Sequence, residues 1–476
     1  MNAASDSATP FVAEWSRQPQ PAQRPMNDSF LEYFKCPERY ARFSLRGPLS
    51  AAARYFNVGP DNVYYGRLYQ SLNTPETGKM SDVVQEVKVA GGTVSLPFDI
   101  KEVVDNLQFE LYPSSARYKR SLVNSLFADL YYYFRPLLPV GVRKHLQRVH
   151  LRDWDRISFP RWPVDRTVNE LFELLMIFSL QAQSVERIPF IWFWPDGAPS
   201  SAIMTHDVET SRGRDLCGTL MDIDDAYGIK ACFSVIPEQR YDVPHTFPSS
   251  ITERGFEVAV HDLNHDGRLY RSRRYFKERV AKINSYGRQW KTDGFRAAVL
   301  YRRQEWFSDL EFSYDMSVPN VAHLDPQRGG CCTVMPYFVG NLLEIPVTTT
   351  QDYSLFHILH EYNTDLWKTQ IELIMEKHGV LSFIIHPDYA TTSAERKVYE
   401  ALLSHLVELR QKRGVWITTP REINRWWRQR AQMRIVEDEQ GLRIEGEGRE
   451  RARIAYASSV EGRLALEPMV ADRRVV

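Results

Sequence analysis

At 476 residues the chain is long enough for two or three domains, and 43% apolar residues is ordinary for a soluble globular protein. Sixty basic residues balance sixty acidic ones, so net charge gives no argument for nucleic acid or for an anionic membrane surface as a partner. Five scattered cysteines without a C-x-x-C pair suit a reduced compartment. The opening residues lack the apolar core of a signal peptide, and no apolar run is long enough to span a bilayer, so the expected setting is the cytoplasm.

Residues 1–27, rich in Pro, Ser, Gln and Ala, are too poor in apolar surface to offset the entropy of ordering. Residues 28–187 read as an accessory α+β region. Short strands are expected at 55–59, 62–66 and 83–89, and helical spacing appears over 99–112, 120–137 and 167–181. The aromatic run 131–134 reads as a helix face packed on its neighbour rather than as a sugar platform. The prolines of 159–165 mark an ordered connection into the last of these helices.

From 188 to 430 strands and helices alternate, which predicts a mostly parallel α/β domain. The strand candidates are 201–205, 230–236, 256–260, 294–297, 312–314, 343–347, 380–386 and 415–418. Helical segments fall at 214–227, 272–289, 303–309, 365–378 and 393–412. Crossovers of this length fit a closed or nearly closed β/α barrel better than an open nucleotide-binding sheet, and no glycine-rich phosphate loop follows any strand. Residues 431–476 alternate at period two, as a small β appendage ending in a loose tail.

Chemistry gathers at the ends of these strands. Asp207 and Glu209 close the run Ser201-Ala-Ile-Met-Thr-His-Asp-Val-Glu, and His261 and His265 follow the apolar run 256–260. If the chain turns helical there, the two imidazoles share a face. Two imidazoles and one carboxylate would hold a divalent metal with a position left for water, and the second carboxylate would take that water's proton. Arg296 could pin and acidify a carboxylate, Asp315 stands at the next strand end, and His386 ends the apolar strand 381–385. His206 points to the opposite face of its strand and reads as packed. Asp262 and Asp266 read as solvated neighbours or as support behind the histidines. Cys331 and Cys332 read as structural, and Trp426 and Trp427 as a helix end packed on its neighbour.

In this order the motifs resemble those of the polysaccharide deacetylase superfamily, the carbohydrate esterases with a NodB homology domain, over about residues 190–430. The resemblance implies a distorted (β/α)7–8 barrel and metal-dependent removal of an N-acetyl group from an amino sugar. By position it makes Asp207 the general base and Glu209, His261 and His265 the metal ligands. Arg296 would orient Asp207, and His386 would be the general acid, with Asp352 matching the acidic residue that tunes it. Two positions depart from the family pattern. Glu209 stands where Asp is usual, so either Glu209 ligates a shifted metal or Asp207 ligates and Glu209 is the base. Ala298 stands where proline is usual, so the oxyanion loop should differ in shape.

The implied ligands are a divalent ion, most simply Zn2+, and an N-acetylated sugar that is nucleotide-linked, lipid-linked or otherwise soluble, in surface-polysaccharide assembly. Nucleic acid is not implied, and the sequence does not indicate an oligomeric state. Two alternatives stand beside this: hydrolysis of another small amide or ureide, and an inactive deacetylase-like scaffold that only binds glycan or a partner.

Overall fold

Short apolar runs separated by polar, helix-forming segments organise the structure, a computed structural model that describes residues 26–59, 62–72, 80–113, 153–390, 393–439 and 441–469. The helix expected over 120–137, its aromatic run, and most of both expected tails lie outside these residues. The described residues begin with α1 (Asp28–Phe34), β1 (Phe43–Leu45), β2 (Arg54–Asn57), β3 (Val63–Gly66), β4 (Ser81–Asp82), β5 (Lys88–Ala90), β6 (Thr93–Leu96) and α2 (Ile100–Gln108). Next come α3 (Thr167–Gln183) and β7 (Arg187–Ile191).

The strands form two three-stranded sheets, β1-β6-β5 and β3-β2-β4. The single strand expected over 83–89 does not form. The Asp82 carboxylate accepts the Gly59 and Val84 amides at 3.0 Å, which ends pairing at β4 and turns the chain into a short 3-10 segment before β5.

The central part contains β8 (Ser201–Val208), α4 (Ser211–Ala226), β9 (Cys232–Val235), α5 (Thr246–Glu253), β10 (Glu257–His261), α6 (Arg273–Trp290) and β11 (Gly294–Arg296). It continues with β12 (Tyr314–Asp315), β13 (Tyr337–Val339), β14 (Leu342–Glu344), α7 (Asp365–Met375), β15 (Val380–Ile385), α8 (Ser393–Arg413), β16 (Trp416–Thr418) and α9 (Pro420–Gln432). Each expected strand is occupied, and the elements not expected include β13, α5, α9 and the short helical turns at 352–359 and 387–390. The segment 303–309 is a 3-10 helix rather than an α-helix.

Nine strands make one sheet in the order β13-β14-β12-β11-β10-β9-β8-β15, with β16 also beside β8. All neighbours are parallel except the β13–β14 hairpin. Strand β8 is buried along its whole length, as a central parallel strand covered on both faces must be. The sheet curls toward a barrel, in keeping with the nearly closed form expected, and its ladder stops at β15. Single hydrogen bonds bridge the gap: Ser382 N–H donates to the Thr348 side chain (Oγ1, 3.0 Å), and the Thr349 main-chain N–H reaches Ser382 O (3.3 Å).

The C-terminal residues form two hairpins, β17 (Arg434–Asp438) with β18 (Gly441–Glu445) and β19 (Ile454–Val460) with β20 (Arg463–Pro468). The second is joined to the rest of the fold: β19 pairs antiparallel with β7, placing Ala455 opposite Phe190. Phe34, Phe190, Trp192, Phe193, Trp426 and Trp427 pack in one buried cluster with Ile203, Cys232 and Tyr314 from inside the curled sheet. Trp426 Nε1 donates to Phe193 O at 2.8 Å, so the tryptophan pair is a packed helix face. Buried Arg430 donates to the carbonyls of Tyr33 (2.8 Å), Ile191 (2.7 Å) and Trp192 (2.9 Å), tying three segments together. No helix among the described residues is long and apolar enough to cross a membrane.

Gly294 tests the tightest point of the sheet, because a Cβ there would overlap the Tyr314 hydroxyl that donates to buried Glu257. Gly294→Ala is expected to lower stability by about 1–3 kcal/mol. The readout is a lower urea midpoint at unchanged slope, and an unchanged midpoint would contradict this packing.

Candidate active site

Alternation along β8 sends Ala202, Met204 and Val208 outward into the helix-facing core, and Ile203 inward. Asp207 shares the inward set. His206 faces outward as expected, fully buried, with Nε2 2.9 Å from Asp224 Oδ2 and Nδ1 3.1 Å from Ile385 O. The strand ends at Val208 and Glu209 follows at the mouth. Thr210 then caps α4 by accepting the Gly213 amide (2.9 Å) and donates to the Asp388 carboxylate (2.8 and 2.9 Å). The turn that carries Glu209 is thereby tied to the turn after His386.

Arg296, at the end of β11, is fully buried. Its Nη1 donates to Asp207 Oδ1 (2.6 Å) and Thr205 Oγ1 (2.8 Å), and its Nε donates to Met316 O (3.1 Å). Burial alone would raise the Asp207 pKa, but Arg296, then His261 and His386, outweigh it and hold the carboxyl below its usual range. Segment 314–317 braces the arginine rather than offering groups to the site. Asp315 accepts the Ser317 hydroxyl (2.7 Å), and Ser317 Oγ accepts the Ala297 amide (2.8 Å).

His261 ends β10, and His265 lies in the loop beyond it. The helical turn imagined between them does not form, because Asp262 (φ 56°) and His265 (φ 54°) take left-handed conformations. The loop nevertheless brings the rings to 5.0 Å between centroids. Glu209 Oε1 lies 2.8 Å from His265 Nε2 and 3.9 Å from His261 Nε2. One ligand atom from each of these three residues falls within 4.8 Å of the others.

The donor chemistry fits a metal ion. His261 Nδ1 lies 3.1 Å from Arg296 O, and donating to it leaves Nε2 with its lone pair toward Glu209. That Nε2 and His265 Nδ1 are buried without a hydrogen-bond partner, the condition that coordination relieves. Two imidazole nitrogens and a carboxylate oxygen are a zinc-type set with room for water. Burial would raise the Glu209 pKa, but His265, His261 and His386 outweigh it and keep the carboxylate ionised.

On the other side, His386 Nε2 is 3.6 Å from Glu209 Oε1. Its Nδ1 lies 2.6 Å from buried Asp352 Oδ1, and its backbone amide donates to Asp352 Oδ2 (2.7 Å). Burial lowers the imidazole pKa, yet Asp352 and then Glu209 lift it well above the usual value.

One expectation needs correction. Asp262 is buried, not solvated: one oxygen accepts the Leu263 amide (2.6 Å), and burial raises its pKa. Asp266 is engaged by Arg279 at 2.6 and 2.8 Å. Cys331 and Cys332 are buried free thiols. Sequence reasoning gave no role to Thr205, which shares the arginine, or to Tyr389, whose ring lies 5.3 Å from that of His386. The only signal for Tyr389 was its place three residues after the histidine.

No family model matches the chain, and no curated protein matches it. Among solved structures it is similar to a polysaccharide deacetylase from Mycobacterium smegmatis described as putative, at 16% identity and TM-score 0.38, over 50% of this chain and 93% of that one. A probable polysaccharide deacetylase from Pseudomonas aeruginosa shows 12% identity and TM-score 0.38, over 49% and 92%. Puue allantoinase shows 13% identity and TM-score 0.39, over 49% and 92%. Overlaps at this level carry no argument about chemistry, and the functional reading rests on the geometry above.

Full-length protein titrated with Zn2+ is expected to bind one ion per chain. His265→Ala and Glu209→Ala should each weaken binding by more than about 100-fold, beyond the effect of losing an outer hydrogen-bond partner. Calorimetry checks this, and wild-type affinity in both variants would refute the donor set.

Proposed function

We propose that the chain is a metal-dependent hydrolase that removes the N-acetyl group from an amino sugar, on a distorted β/α barrel of the deacetylase type. The observation that carries this is the meeting of two acid–base pairs, Asp207 with Arg296 and His386 with Asp352, on either side of Glu209, His261 and His265. These three residues would hold a divalent ion, most simply Zn2+, which when bound polarises an amide carbonyl and lowers the pKa of water toward ~7. Glu209 is the better ligand of the two carboxylates, because Asp207 Oδ1 is already engaged by Arg296.

The proton path follows from the remaining contacts. Asp207 Oδ2, 3.9 Å from His261 Nε2, faces the site and takes the proton of the water that attacks the carbonyl carbon. Arg296 keeps that carboxylate ionised and fixes its orientation. As the C–N bond breaks, His386 Nε2 gives its proton to the departing nitrogen, and Asp352 holds the imidazole in place and favours its protonated form. Acetate and a free amine result. Both transfers start from the required states at neutral pH, Asp207 charged and His386 protonated, in line with the directions of their shifts.

The intact pairs count against an inactive scaffold. A carrier-linked or soluble sugar in a cytoplasmic assembly route is the proposed setting, supported by five buried cysteines that form no disulfide.

Asp207→Asn is expected to reduce acetate release from N-acetylated hexosamines by about 10²–10⁴-fold while metal stays bound. Wild-type turnover in that variant would sink the assignment. Asp352→Asn should move the alkaline limb of the pH–rate profile to lower pH. The lost carboxylate had stabilised the imidazolium, so His386 would deprotonate earlier as pH rises. A limb that stays in place would assign the general acid elsewhere.

A further inference from the structure

Two short turns carry aromatic side chains to the His386 side of the site. In the helical turn Pro387–Ala390 the amides of Tyr389 and Ala390 both donate to His386 O (3.0 and 3.1 Å), so the chain folds back and sets the Tyr389 ring beside the imidazole, 5.3 Å between centroids. Asp352–Ser354 leads into a π-helical turn, Leu355–Leu359, a geometry found mostly where function needs it. Tyr353 and His357, four residues apart along these turns, pack edge-on with centroids 5.3 Å apart.

The two turns meet ring against ring. His357 stands edge-on to Tyr389 at 4.8 Å with planes at 82°, and Tyr353 lies 6.2 Å from Tyr389. Contacts of this kind are favourable and fix the orientation of the rings. What joins the turns is the pair assigned above to acid catalysis: Asp352, directly before Tyr353, accepts the His386 amide (2.7 Å) and lies 2.6 Å from His386 Nδ1. The hydrogen bonds that hold the imidazole therefore also hold the aromatic cluster against it.

Burial separates these rings from their neighbours. Phe356 and Trp367 are core residues, whereas Tyr353, His357 and Tyr389 are each only half-buried. Tyr389 packs in part on the helix-facing core, so its ring is anchored and still partly open. Burial, then Glu209 and Asp352, raise the pKa of its hydroxyl, which keeps the phenol neutral and puts it within electrostatic reach of a candidate metal ligand. The proposed reaction fixes what must lie here. The nitrogen that receives the His386 Nε2 proton carries the sugar, so the sugar ring sits on the His386 side of the three ligands. A pyranose has apolar C–H faces that pack on an aromatic face and hydroxyls that stay at its edge.

We propose that Tyr389, braced by His357 and Tyr353, stacks on the pyranose ring that bears the departing nitrogen and is a specificity-determining residue of the site. The proposal rests on the deacetylase reading and deepens it, from any small N-acetyl amide to one whose nitrogen is carried on a hexopyranose. Stacking needs the aromatic ring and not the hydroxyl, which separates this role from proton donation by the phenol.

Metal-loaded full-length protein and N-acetylglucosamine provide the test. Tyr389→Ala is expected to raise KM about tenfold with a smaller change in kcat. Tyr389→Leu, which keeps the buried packing, should raise KM nearly as far, and Tyr389→Phe should recover most of the loss. Wild-type KM in both the Ala and Leu variants overturns the proposal, as does a Phe variant as impaired as Tyr389→Ala. Binding is read separately by saturation-transfer NMR of N-acetylglucosamine with metal-loaded Asp207→Asn protein. The ring C–H protons of the sugar should receive saturation and lose it about threefold or more when Tyr389→Leu is added. Ring protons that receive none, or that keep it undiminished in the double variant, overturn the stacking contact. A Tyr389-dependent signal in protein whose wild type releases no acetate overturns the deacetylase reading and upholds the stacking contact.

Discussion

Arg296 is the constraint on which both halves of the site depend. A guanidinium with no exposed surface is costly to desolvate, and here Asp207 and Thr205 meet its Nη1 and Met316 O its Nε, while Nη2 is buried without a hydrogen-bond partner. Its backbone carbonyl does separate work, lying within reach of His261 Nδ1 (3.1 Å) and accepting the Asp262 amide (2.9 Å). One residue therefore sets the charge on Asp207, which of its oxygens faces the site, and the tautomer of His261. Gly294 two residues earlier has no side chain, so Tyr314 can lie across β11 and keep this three-residue strand paired with β12.

Much of this was legible because parallel strands buried on both faces leave a plain trace, short apolar runs ending in polar groups. Asp207, Glu209, His261 and His386 stood out for that reason. What periodicity does not encode is backbone sign and burial of polar groups. The left-handed residues Asp262 and His265 replace an expected helical turn, and nothing in their spacing announces it. Nor does the sequence show that Asp262 is buried. Asp352 sits in a three-residue helical turn after three threonines, a place with no pattern of its own, so only the family resemblance pointed to it. In the small sheets, β2 and β3 fall on the strands expected at 55–59 and 62–66, whereas β1, β4, β5 and β6 are strands of two to four residues, too short for alternation to register.

The parts outside the curled sheet hold it at both ends. At the floor, β19 on β7 and Arg430 among three carbonyls lock the aromatic cluster beneath the strands. At the face, the accessory region contacts several loops as well as α7, where Gln370 donates to Pro163 O. Tyr112 Oη donates to Gly330 O (2.6 Å), Asp165 and Asn320 exchange hydrogen bonds, and Arg302 Nε donates to Glu110 Oε2 (2.6 Å). A sheet whose ladder stops short of closure gains its fixed shape from these clamps as well as from the threonine bridge to β15.

The loop after Arg296 shows what such clamping accomplishes. Ala298 leaves it without a proline ring to fix φ, and the next two residues, Val299 (φ 59°) and Leu300 (φ 52°), are both left-handed. Left-handed backbone costs about 1–2 kcal/mol per non-glycine residue, and a β-branched valine bears it poorly. The conformation is held from outside. Leu300 is buried against Val347 and Ile384, and its carbonyl accepts Arg302 Nη1 (2.9 Å), while Arg302 is anchored by Glu110, just past α2 in the accessory region. The chain from Glu110 through Arg302 to Leu300 thus sets the shape of the wall beside His386, giving residues outside the curled sheet a direct hold on the geometry of the site.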